Sequence, residues 1–281
     1  MNNQRIQNDS LYDDGNENNF DEIVSNRKRK GRHKKITALF ILFLMIVIGV
    51  YLCNSEILVV NKVSVESLEE GKEVNLPYSQ TELMSGFGLE KGMGLYKFSS
   101  KELEHNAKYN LTYIKDLKIS RRWPSTVVAK VIPENLRYYI TIDEKMYILS
   151  DELRVVDSTD NIEQVEINKL IYLKVENIRS CIKGVKLDVG DDIEKIIIDV
   201  ANTLESENVL SSITEIDVST KFDIRLMYDT RFAVKLGDSM DLKNKVKMMK
   251  EIVRDKEGEL ASGTIDVTKD YGKTGSLSKF T

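Results

Sequence analysis

Apolar positions fall into three regimes along this chain. From Ile36 to Cys53 nearly every residue is apolar (ITALFILFLMIVIGVYLC), with no charge and no proline. Before that run apolar residues are sparse, and after it they recur every second or every third to fourth position. A run of about 18 residues at ~1.5 Å per residue comes close to the ~30 Å hydrocarbon core of a bilayer. Lipid offers the backbone no hydrogen-bond partners, so the run predicts one spanning helix. It has no polar face, which separates it from a core helix of a soluble domain. The long polar tail ahead of it, and the bulky Tyr51 and Leu52 at its exit, argue against a cleaved signal peptide or a lipoprotein-type cut before Cys53.

Beyond the run, period-two stretches predict strands and capped 3.6-period stretches predict helices. Leu58–Val65 reads as a first strand. Ser79-Gln80-Thr81-Glu82 and Ser99-Ser100-Lys101-Glu102 are capping-box patterns that open two short helices, to about Gly86 and Lys108. Tyr113–Arg121 and Thr126–Ile132 read as strands joined at Trp123-Pro124-Ser125. The order is β-α-α-β-β. Next come strand patterns at Leu136–Ile142, Lys145–Leu149, Arg154–Val156 and Leu170–Val175. A helix capped by Asp191 or Asp192 carries Ile193, Ile196, Ile197, Val200 and Leu204 on one face. Ile213–Val218, Asp223–Tyr228 and Arg231–Leu236 are strand patterns, the last two joined at Asp229-Thr230. A helix with Leu242, Val246, Met249 and Val253 inward follows, then a final strand, Gly263–Thr268. Asp270–Thr281 is polar and predicted to be disordered, as is the Asn- and Asp-rich stretch 1–26.

Charge sets topology. Arg27–Lys35 is basic, whereas Asn54, Ser55 and Glu56 follow the apolar run and no basic residue appears until Lys62. Positive charge stays cytoplasmic, so the N-terminus is predicted inside and everything after Cys53 outside. The first 35 residues hold eight Lys/Arg and six Asp/Glu. That leaves 33 of the 41 basic residues against 39 of the 45 acidic ones, with no basic footprint for nucleic acid. The two cysteines, Cys53 and Cys181, cannot build a disulfide framework.

Candidate chemistry is thin. Ser180-Cys-Ile-Lys183, Ser206-Glu-Asn208 and Lys273-Thr-Gly275 match the motif set of penicillin-binding proteins. They lie too close together for a transpeptidase domain, and Lys273-Thr-Gly275 sits in a polar tail rather than on a strand. His105 is the one histidine outside and reads as a solvated helix residue. It makes no zinc site and no nucleophile–base pair with the remote Cys181. No cofactor, metal or catalytic residue is predicted.

The specific signal is Ile119-Ser-Arg-Arg-Trp-Pro-Ser-Thr-Val-Val-Ala-Lys-Val-Ile-Pro-Glu134. It resembles the R-x-W-P-x-T strand-turn-strand of the FtsQ/DivIB cell-division family. Pro124 fixes the turn and Trp123 is expected to plug the sheet edge; with Arg122 they form the structural motif. The basic tail, the single span, Val63-Ser-Val65 after the membrane, Gly92-Met-Gly-Leu-Tyr96, Tyr147–Val155 and Val234-Lys-Leu-Gly237 follow in the family's order. The pattern departs locally. Gly94 replaces the usual Asn, Ile132-Pro-Glu-Asn135 has lost the usual E-R-x-P, and Glu152-Leu153 replaces the turn Gly.

The resemblance implies an α+β chain. Residues 1–35 would be a cytoplasmic tail, 36–53 the span, 57–133 a POTRA domain, 134–269 a β-domain of mixed sheet with flanking helices, and 270–281 a disordered tail. It implies a non-enzymatic divisome scaffold in the membrane at the septum. The scaffold would bind DivIC/FtsB-type and FtsL-type bitopic proteins outside the membrane and so help control the septal peptidoglycan synthase. A POTRA-bearing membrane sensor or translocation adaptor is the alternative. The expected mechanism is strand addition, because an edge strand exposes unpaired backbone groups. Carried over from the family, the surface comprises Thr264, Ile265, Asp266, Val267 and Thr268, with Arg231, Phe232, Val234 and Lys235 nearby. A second expected surface, on the first POTRA helix, comprises Glu82 and Leu83.

Overall fold

In a computed structural model of the chain, the described residues are 34–51, 58–255, 262–268 and 276–278. Stretch 1–26, most of the basic cluster and Cys53 lie outside them. The chain divides into two units, Met1–Val59 and Val60–Thr281. The first contains helix α1, Lys34–Tyr51, the one described helix long and apolar enough to cross a membrane; none of that span is buried within the protein.

The second unit opens with a three-stranded sheet in the order β1-β3-β2. β1 (Lys62–Ser67) runs parallel to β3 (Thr126–Pro133), which is antiparallel to β2 (Ile114–Arg122). A parallel pair needs a crossover, and here α2 (Gln80–Phe87) and α3 (Ser100–Asn110) supply it. The first capping box forms: Ser79 Oγ accepts from Glu82 N at 3.2 Å and Glu82 Oε2 accepts from Ser79 N at 2.7 Å. Gly88, at φ 73°, closes α2 in the left-handed region that favours glycine. The second box does not form, because Ser99 caps α3 without a side-chain bond. Val127, Ala129 and Val131 are fully buried on one face of β3, packed with Phe87, Leu95, Leu103 and Leu111. Burying each large apolar side chain contributes about 1.5–3 kcal/mol.

The strand-turn-strand motif works differently from expectation. Trp123 stands 64% exposed at the turn and plugs nothing. The anchor is Arg121. It donates to Leu95 O at 2.8 Å and Phe98 O at 2.6 Å, and its guanidinium lies 4.8 Å from the Phe98 ring centroid. Arg122 pairs with Glu66 of β1 at 2.7 Å.

Residues 136–278 build one nine-stranded mixed sheet, in the order β12-β11-β10-β9-β8-β7-β4-β5-β6. Its strands are β4 (Leu136–Ile142), β5 (Lys145–Ser150), β6 (Val155–Thr159), β7 (Ile171–Lys174), β8 (Ile213–Asp217), β9 (Ile224–Tyr228), β10 (Phe232–Gly237), β11 (Gly263–Asp266) and β12 (Ser276–Ser278). α5 (Asp191–Ser206) and α6 (Leu242–Asp255) supply Ile196, Ile197, Val200, Leu204, Val246 and Met249 to the core on one face. Gly190, not Asp191 or Asp192, is the N-cap of α5; both aspartates lie in its first turn, where negative charge complements the helix dipole. On the other face α4 (Ile162–Ile167), which the apolar pattern did not predict, sets Val165 against Met146, Ile148 and Leu170. The β9–β10 turn sits at Asp229-Thr230, both at positive φ (48° and 55°), as a tight hairpin requires.

Candidate functional site

The far end of the nine-stranded sheet is built on β10 and β11. Their parallel ladder includes Gly263 N to Arg231 O and Val267 N to Lys235 O, both 3.1 Å. Backbone direction alternates along a strand. Gly263, Ile265 and Val267 therefore turn their amides toward β10, while Thr264 and Asp266 turn theirs to the outer side. Side chains alternate as well: Ile265 and Val267 are buried in the core, with Phe232 and Val234 of β10 beside them.

The nine residues expected at this edge thus separate into two sets. Phe232, Val234, Ile265 and Val267 hold the strands to the core. Thr264, Asp266, Thr268, Arg231 and Lys235 are only partly covered. Thr268 donates to Asp266 Oδ1 from both its amide (3.0 Å) and its hydroxyl (2.6 Å), which closes the strand's end. Arg231 lies 5.1 Å from the Phe232 ring centroid. A Cβ at Gly237, the last residue of β10 with φ 73°, would meet Thr268 Cγ2 at 3.1 Å, so only glycine leaves room there.

On the face away from α5 and α6 a charged row crosses five strands. Lys174 is in register with Asp217, Asp217 with Arg225, Arg225 with Lys235, and Lys235 with Asp266. Lys174 and Asp217 pair at 2.9 Å, and Arg225 pairs with Asp223 next to the row. Burial disfavours the charge on Asp217. Its bonds from Ser219 and Lys174 outweigh that and hold its carboxyl below the ordinary value. Asp223 is held low chiefly by the bond from Arg225. Glu215 is pushed up, by burial first and by Asp217 second.

The edge is not where the periodicity ended it. β12, inside the tail predicted to be disordered, pairs antiparallel with the outer side of β11: Thr264 with Ser278, Ile265 with Leu277, Asp266 with Ser276. Tail residues 269–275 and 279–281 lie outside the described ones. A Ser-Leu-Ser strand in a Gly- and Ser-rich tail has no strand signature of its own, so only its neighbour reveals it.

The second expected surface is less free. Leu83 is 4% exposed and belongs to the core, and Glu82 is exposed but committed to the capping box. Glu82 lines a cleft of about 630 Å³ with Tyr78, Tyr113, Asp157 and Lys183, between the two sheets. Sequence reasoning missed the group that fixes that junction. Arg154 donates to Ile114 O (3.1 Å), Lys108 O (2.8 Å), Gly184 O (3.0 Å) and Glu134 Oε1 (2.8 Å). Its partners lie 20–46 residues away, and no local pattern could announce them.

Cys181 is half-buried, and burial pushes its thiol up, away from reactivity. His105 is exposed, 5.0 Å from the Tyr109 ring. Lys183 is paired with Asp157 at 2.6 Å. Among the described residues no group of three His, Cys, Asp or Glu is placed to hold a metal ion.

No family model matches the chain. Proteins described as cell division protein DivIB do. Those of Clostridium botulinum strains Hall and Loch Maree are each 26% identical over 250 residues, covering 88% of this chain and 93% of theirs. That of Clostridium tetani is 23% identical over 156 residues, covering 54% of this chain and 58% of its own. These similarities support the resemblance to the FtsQ/DivIB family over most of the chain. Together with α1, that similarity supports a membrane-anchored cell-division protein.

Proposed function

We propose that this chain is a non-enzymatic scaffold of the divisome. Residues 57–133 act as a POTRA domain and residues 134–269 as the partner-binding β-domain. The N-terminus is cytoplasmic, both domains are outside, and the protein gathers at the division septum. It binds DivIC/FtsB-type and FtsL-type bitopic proteins by strand addition at β11 and thereby helps control septal peptidoglycan synthesis. The observation that carries this reading is the geometry of β11. Two buried side chains and a parallel ladder hold it firmly on one side, while Thr264 and Asp266 direct their backbone groups to the other. Main-chain pairing there gives affinity, and alternate side chains give register.

Imaging a fluorescent fusion during depletion tests the role. Midcell signal and blocked septa are expected. Uniform membrane signal with normal septation would instead favour a POTRA-bearing sensor or translocation adaptor. The edge itself is tested by Thr264→Pro combined with Lys235→Glu, which removes an outward amide and reverses a charge in the adjacent row. Proline at Ile265 is unsuitable, because that amide belongs to the ladder with β10. The double variant is expected to keep its fold and lose the DivIC-type partner in pull-downs from membranes; retained binding would refute strand addition at β11.

A further inference from the structure

The outer side of β11 is already occupied. On its inner side β11 has a four-residue parallel ladder and two buried side chains. On its outer side it has three register pairs with β12. Strands usually run about 5–6 residues, so β12 is minimal. Its segment, Asp-Tyr-Gly-Lys-Thr-Gly-Ser-Leu-Ser-Lys-Phe-Thr (270–281), is rich in residues that disfavour strands. Val267 is still laddered to β10 and Thr268 is bonded back to Asp266, so seven residues, 269–275, connect it to the end of that edge. That connection is long enough for β12 to leave the edge and remain tethered beside it.

We propose that Ser276–Ser278 is a self-complementing strand: it closes β11 in the free protein and is displaced by an extended antiparallel segment of the division partner, which pairs with Thr264 and Asp266 in its place. The inference rests on the strand-addition reading above. The exchange conserves main-chain hydrogen bonds, since each bond surrendered to β12 is remade with the incoming strand. The partner gains by length, because it can extend past both ends of a three-residue competitor. Free β11 would also be an adhesive edge, and a resident strand protects it from pairing with a second copy. The cost is apparent affinity, which falls by the fraction of molecules whose edge is open. A tethered competitor acts at an effective concentration in the millimolar range.

The test uses the full chain in lipid nanodiscs beside a chain ending at Tyr271, each titrated with the soluble extracellular region of the DivIC-type partner. The shortened chain is expected to bind on the order of 10-fold more tightly. A synthetic peptide of residues 270–281 should bind the shortened chain, not the full one, and compete with the partner. Ser276→Pro with Ser278→Pro in the full chain removes the pairing amides without removing the tail, and should reproduce the gain. Equal or weaker partner binding by both the shortened chain and the proline variant would overturn self-complementation. If Thr264→Pro abolishes partner binding in that case, strand addition stands and only the displaceable strand is wrong. If Thr264→Pro leaves binding intact, strand addition at β11 falls as well.

Discussion

The two ends of the nine-stranded sheet are closed by different means. At the β6 end the closure is made of side chains and a folded-back loop. Gly184 N donates to Val155 O at 2.7 Å and Val155 N to Val185 O at 2.9 Å, so residues 184–187 run along the start of the strand. Arg154 then ties this end to β2, α3 and Glu134, while Asp157 accepts from both Tyr113 (2.9 Å) and Lys183 (2.6 Å). At the β11 end, closure is three register pairs with a strand from the tail. A side-chain interlock has one geometry and is lost as a unit. A short backbone pairing can be replaced by any other extended chain. The first closure suits a permanent junction, and the second suits the exchangeable contact proposed above.

Arg154→Ala is the change that should damage this arrangement most. Glu134, whose side chain is 3% exposed, loses its cation, and three carbonyls lose a donor. Breaking a buried pair from one side costs about 3–5 kcal/mol. Urea unfolding should report a loss of that order, and small-angle scattering a loosened orientation of the two sheets. A loss below about 1 kcal/mol would mean that the junction is held elsewhere.

Tyr113→Phe should have a smaller effect, on the order of 1.5 kcal/mol, because one bond to a charged acceptor disappears while the edge-on contact with Tyr78 stays. The same group gives a pH signature. Burial raises Asp157, but its bonds from Lys183, Ser158 N and Tyr113 outweigh burial and hold it below the ordinary carboxylate value. A carboxyl depressed in the folded state contributes stability that is complete above the unfolded pKa of about 3.9 and is lost as pH falls toward the folded value. Acid unfolding of Tyr113→Phe should therefore depend less steeply on pH below about 4 than that of the parent. An unchanged slope would remove Asp157 from the acid response.

Removing residues 272–281 should matter least for stability. Less than about 1 kcal/mol is expected, because three register pairs at a sheet edge add little to a cooperative core. Amide exchange at Thr264 should nonetheless accelerate while that at Ile265 stays slow. If both accelerate together, β12 supports the core, and the contrast between the two ends disappears.

Much of the fold was legible in local pattern. The apolar run gave α1, the Ser79 box gave the start of α2, and alternation gave β4, β5, β8, β9 and β10 to within a residue or two. The candidate edge was legible only in part. Gly263–Val267 alternates clearly, so its place as a buried-face strand could be read. Which of its amides turn outward, and what lies beside them, depends on partners distant in sequence. α4 was hidden because its six residues are too short for a helical period to stand out. Trp123 misled because a large aromatic beside a turn suggests burial, whereas the space against Leu95 and Phe98 is taken by Arg121.

By itself the sequence determined the membrane span, the basic-to-polar asymmetry around it, the order of helices and strands, and the strand-turn-strand motif of the family. These follow from hydrophobicity, charge and capping, each fixed within a few residues of chain. Only the tertiary structure decided that Arg154 joins the two sheets, that Ile265 and Val267 belong to the core while Thr264 and Asp266 turn outward, and that a tail without strand propensity closes the edge. Each is a pairing between segments distant in sequence. It is set by register and by which donors and acceptors are left over once the core has formed.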